Sequence, residues 1–99
     1  MKTNMTYIIT RKTIMPEIHK VFFDKEKAEE YIKPLNDLYK DYLNLMKNAD
    51  RYDFVIFYYL HNCLLYEITK YDDDFKYGRK DITNVKFFPR YEMVEKEVQ

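Results

Sequence analysis

A single glycine, Gly78, stands in the 99 residues. A phosphate loop or a dinucleotide-binding turn needs several, so both are excluded. The single cysteine, Cys63, rules out an internal disulfide and points to a reducing, cytoplasmic setting. Beside it stand only two histidines, His19 and His61, too few for a four-ligand structural zinc site. The acidic run "DDD" (72–74) lacks both the alternating spacing and the glycine of a calcium loop. It reads as a solvated loop. No metal and no cofactor are expected. Net charge is absent as well: 17 Lys plus Arg balance 17 Asp plus Glu, so no global field advertises a polyanionic partner. The longest apolar run, "FVIFYYL" (54–60), falls far short of the ~20 residues of a membrane span. "MKTNMTYIIT" holds no apolar run of signal-peptide length, and no membrane association is expected.

What the chain does hold is rings. There are 11 Tyr and 7 Phe, with 13 Lys and 6 Asn against 2 Ala. An A/T-rich genome produces such a bias without selection for any ligand. Even so, 11 phenols exceed what one small core can hide with every hydroxyl satisfied, so several must meet solvent or a partner. The length predicts one domain, 1–99, with enough buried surface to stand without staples.

Residues 5–13 and 17–23 read as two strands of a hairpin around Pro16, with Ile18, Lys20 and Phe22 on one face and His19, Val21 and Phe23 on the other. Asp24 is a good N-cap, its carboxylate accepting from first-turn amides. Behind it Ala28, Tyr31, Ile32, Leu35, Leu38, Tyr39, Tyr42, Leu45 and Met46 form one apolar stripe at spacings of three and four. The stripe keeps phase across Pro34. A kinked helix, or two abutting helices, is predicted as far as 47–50. In "YDFVIFYYLHNCLLYEI" (52–68) β-branched and aromatic residues dominate the first half, which favours a hairpin turning at His61-Asn62 over a helix. Its register sets Leu60 opposite Cys63, Tyr58 opposite Leu65, Val55 opposite Ile68 and Asp53 opposite Lys70. Residues 71–81 read as a loop, 82–88 as a last strand stopped by Pro89, and "YEMVEKEVQ" as a polar tail able to add a helical turn. The expected fold is α+β: an antiparallel sheet of four or five strands in ββαβββ order on one long, Pro-kinked helix.

"VFFDKEKAEEYI" after a short strand, with "YEITKYDDD" further on, resembles a unit in many small open reading frames of bacteriophages and prophages. The resemblance covers residues 5–33 and 66–74. It implies a strand ending in Val-Phe, a capped helix and a later strand reading Tyr-x-Ile-x-x-Tyr. It also implies a job: non-enzymatic binding of a host or anti-phage defence protein in the bacterial host cytosol. It transfers no site residue.

Three kinds of chemistry compete. Cys63 with His61 or His19 would need a base in reach, an orienting group and an oxyanion site, and nothing nearby supplies them. No enzyme and no catalytic residue are expected. Between 75 and 91, Lys76, Arg79, Lys80, Lys86 and Arg90 interleave with Phe75, Tyr77, Phe87, Phe88 and Tyr91. That mixture suits a single-stranded nucleic-acid groove, with Lys76, Tyr77, Arg79, Lys80, Lys86 and Arg90 as its residues. Protein recognition through Tyr58, Tyr59 and Tyr66 is the preferred reading, because tyrosine brings a large rigid ring and tolerates partial exposure. A homodimer, or a homo-oligomeric structural role, would meet the same need.

Overall fold

The computed structural model describes residues 4–98. Its elements are β1 (Asn4–Lys12), β2 (Pro16–Phe22), α1 (Lys25–Lys47), a 3-10 turn (Ala49–Arg51), α2 (Phe54–Tyr71), α3 (Arg79–Thr83) and β3 (Arg90–Val98). The class is α+β. Three strands and three helices replace the expected four or five strands on one helix, and the ββαβββ order is therefore overturned. The described residues gather into two compact units, 4–36 with 89–98 and 37–88, and α1 contributes to both.

In the first unit the antiparallel sheet has the order β2-β1-β3. The hairpin forms where the spacing predicts it, but its alternation breaks. Ile9 faces Lys20 whereas Thr10 faces Ile18, so His19 is the extra residue of a β-bulge. The bulge has a direct consequence. His19 shares a hydrogen bond with the Tyr31 hydroxyl, and the Lys20 ammonium lies 4.5 Å from the centre of the same ring. Strict alternation would have sent these neighbours to opposite faces. Ile9, Ala28, Ile32, Leu35 and Tyr91 are buried. Asp24 opens α1 as expected, its carboxylate accepting from the Glu26 amide at 2.9 Å. Helix α1 is a single element through Pro34, which has no N–H to donate to the Glu30 carbonyl.

The expected polar tail is a strand. Residues 90–98 pair with β1 over nine consecutive positions, from Lys12↔Arg90 to Asn4↔Val98. Tyr91 and Met93 alternate inward, and a strand with one face in water tolerates the glutamates and lysine between them. Glu95 also reaches Lys25 at 3.3 Å, and this hydrogen-bonded carboxylate holds the Lys25 ammonium above its ordinary pKa.

In the second unit the predicted 52–68 hairpin is instead helix α2. Asp53 caps it by accepting from the Ile56 amide at 2.9 Å, and Phe57, His61, Leu65 and Ile68 bury a stripe at spacings of four and three. None of the cross-strand pairs exists; Lys70, assigned to Asp53, binds Glu67 one turn away at 2.7 Å. The Tyr-x-Ile-x-x-Tyr segment, implied as a strand, is the end of this helix. The predicted strand 82–88 is absent too. Asn84 breaks it, since its side chain accepts from the Lys86 amide at 3.1 Å and its carbonyl from Phe87 at 2.9 Å. Around the inward stripe, Tyr42, Leu45, Phe75 and Phe88 are buried. Tyr42 stacks on Phe88 at 4.4 Å and donates to the Val85 carbonyl at 2.8 Å. Burial pushes its phenol above the ordinary tyrosine range.

Candidate protein-binding face

Several of the residues that α2 does not bury are large and apolar. Its N-terminal turn leaves Phe54 74% and Val55 75% exposed, with Ile56 beside them at 47%. Tyr59 is 66% exposed and Tyr66 57%. Seven residues make almost two helical turns, so these two rings lie about 20° apart around the axis. Val55 and Ile56 sit one turn before Tyr59 and extend the same stripe. Tyr52, just ahead of the cap, is also exposed.

Of the three tyrosines singled out from the sequence, the helix brings Tyr59 and Tyr66 onto one exposed face. It separates Tyr58 from them. That ring is half-buried, edge-on to Phe54 at 4.5 Å and to Phe57 at 6.1 Å. Tyr66 has the Lys70 ammonium 5.5 Å from its ring centre. Beside the stripe runs an open cleft of about 250 Å³ lined by Asp41, Asn44 and Leu45 of α1 and by Tyr52, Leu60, Cys63 and Leu64. The sequence reading missed Tyr52, Phe54, Val55 and Ile56. The signal that finds Val55 and Ile56 is their spacing of four and three before Tyr59, which a period-two reading cannot register.

Two residues apart on a helix, His61 and Cys63 point about 200° from one another. His61 is fully buried and hydrogen-bonds the Phe87 carbonyl through Nε2 at 2.9 Å, while Cys63 lines the cleft. Sulfur and imidazole are therefore not brought together. In the basic segment Lys76, Arg79, Lys80 and Lys86 are exposed, but the rings between them are largely spent inside. Phe75 and Phe88 are buried, Phe87 stacks on Phe75 at 6.2 Å, and Tyr77 stacks on Phe75 at 5.8 Å. Desolvation raises the Tyr77 phenol. Arg90 belongs to the sheet unit and pairs with Glu92 at 3.2 Å. In the acidic run, Asp72 is buried rather than solvated, its carboxylate accepting from the Asp74 amide at 3.1 Å.

Among the described residues no helix is long and apolar enough to cross a membrane. No protein-family model, no curated protein and no solved structure matches this chain.

Proposed function

We propose that the protein is a small phage-type accessory protein that acts by binding another protein, such as a host or anti-phage defence factor, and has no catalysis of its own. The observation that carries this reading is the outward face of α2, where Val55, Tyr59 and Tyr66 lie in one exposed stripe with Ile56 beside its head, while Phe54 is exposed at the first residue of the helix. A fully covered side chain of this size gains roughly 1.5–3 kcal/mol from leaving water. Tyr and Phe are also the residues that anchor interfaces. The adjoining cleft adds a concave, mostly apolar edge into which a partner's side chain can reach.

The test places a photo-crosslinking amino acid at Tyr59 in cells of the bacterial host. A single crosslinked species is expected, and it should vanish when Val55→Ala and Tyr66→Ala are added. The same probe at exposed Lys33 on α1 should give none. Equal crosslinking from both positions, or a complex indifferent to the two substitutions, would remove α2 as the binding face.

A further inference from the structure

Among the described residues the sheet has two unpaired edges, and they are built differently. On β2 the edge starts at Pro16, which has no N–H to offer, and is interrupted by the bulge at His19. Proline and bulges are the devices that stop a strand from pairing with another chain. On β3 neither device is present. Its nine residues hold an unbroken register with β1, and it is the terminal strand on that side. Val94 and Val98 are 48% and 47% exposed, and Glu92, Glu95, Lys96 and Glu97 are exposed with them.

Charged side chains on an edge can themselves discourage pairing, so their order decides. Two copies of β3 pairing antiparallel about an axis perpendicular to the sheet keep each residue on its own face, so the axis passes through a residue. An axis at Glu92, Glu95 or Lys96 sets that charge directly against itself. An axis at Met93 sets Arg90 against Lys96 twice. At Val94 the pattern inverts: Glu92 faces Lys96 of the second copy at both ends, Val94 faces Val94, and no like charges are directly opposed. Met93 then faces Glu95, Tyr91 faces Glu97 and Arg90 faces Val98. The present partner of Glu92 is Arg90, and both side chains of that pair are solvent-exposed, so water screens it and the carboxylate can also face Lys96 of a second copy.

We infer that β3 is a self-recognition edge: a second copy of this chain pairs with it antiparallel about Val94, joining two three-stranded sheets into one of six strands. This interface uses residues of β3 and none of those on the α2 face, so either can fail without the other.

Sedimentation velocity over roughly 1 μM to 1 mM tests it, a range that spans weak to moderate association. The expected result is a concentration-dependent dimer. Glu92→Lys alone and Lys96→Glu alone each create two like-charge oppositions and should raise the dimer dissociation constant roughly tenfold or more. An equimolar mixture of the two variants should recover wild-type association as a heterodimer, because the exchanged charges then face their opposites. Both positions are exposed, and unchanged circular dichroism confirms that the variants fold. A monomer throughout the range, a dimer unmoved by either substitution, or a mixture no stronger than the single variants would each overturn the register. A dimer lost on Tyr59→Ala but retained in Glu92→Lys would move the interface to α2 and overturn it as well.

Discussion

Helices α1 and α2 solve the same inward problem and leave opposite surfaces behind. Each is opened by an aspartate side chain and each buries a stripe, Ala28, Ile32, Leu35, Tyr42 and Leu45 on α1 against Phe57, His61, Leu65 and Ile68 on α2. Outward, α1 presents Lys25, Glu29, Lys33, Asp37, Lys40, Asp41 and Lys47, a charged face that water satisfies. On α2 the outward positions are Val55, Ile56, Tyr59 and Tyr66, with Lys70 one turn further on. The buried stripes specify that the helices fold. On α1 Leu43 is the one large apolar side chain left exposed, whereas α2 gathers several, and contiguous apolar surface is what a partner could cover with a gain in free energy.

The comparison breaks first if inward and outward residues of α2 prove equivalent. Leu65→Ala should cost about 3 kcal/mol, within the usual 2–5 for a buried leucine, with Leu35→Ala on α1 in the same range. Urea denaturation measures both. A loss under about 1 kcal/mol at Leu65 would mean that α2 is not anchored by its inward stripe.

Next come the polar fastenings, each worth about 1 kcal/mol. Asp53→Ala removes the α2 cap and should lower stability by about that amount, as should Asp24→Ala for α1. Tyr42→Phe deletes the bond to the Val85 carbonyl at a similar cost near neutral pH. It also carries a pH signature. Burial raises the folded Tyr42 phenol above its unfolded value near 10, so the stabilisation tied to its proton is complete below about pH 10. It is lost as pH rises through the higher folded value. Wild type should therefore lose stability above about pH 10 more steeply than Tyr42→Phe in parallel melts. Identical alkaline slopes would contradict the buried phenol.

The smallest effects sharpen the contrast most. Tyr59→Ala on α2 and Lys33→Ala on α1 should each change stability by less than about 0.5 kcal/mol, the usual span for surface positions. Binding alone should tell them apart, with the tyrosine variant weakened and the lysine variant unchanged. A loss of about 2 kcal/mol at Tyr59 would make that ring structural.

Where the fold was legible, the signals were local. The β1–β2 hairpin follows from two short β-rich runs about Pro16, and α1 from Asp24 and a stripe that stays in phase through Pro34. Region 52–68 misled because β-branched and aromatic residues favour strands only as a propensity, of up to about 1 kcal/mol, that packing overrides. Its countersigns were present: Asp53 as a cap, and Phe57, His61, Leu65 and Ile68 at helical intervals. β3 was illegible for another reason. Its two inward residues, Tyr91 and Met93, are too few to show a period among charges, and its partner strand lies about 80 residues earlier in the chain. Within the candidate site, Tyr59 and Tyr66 were readable as surplus rings, whereas Phe54, Val55 and Ile56 became part of it only once the segment was helical.

The order of residues alone determined that this is a neutral, ring-rich α+β chain with a hairpin and a capped amphipathic helix, because those features depend on neighbours within a few positions. Tertiary structure decided which face of 54–71 points outward, and it decided that a polar terminal segment completes the sheet. In both cases the deciding energy comes from surfaces and hydrogen bonds supplied by residues far away in the chain, which no local pattern contains.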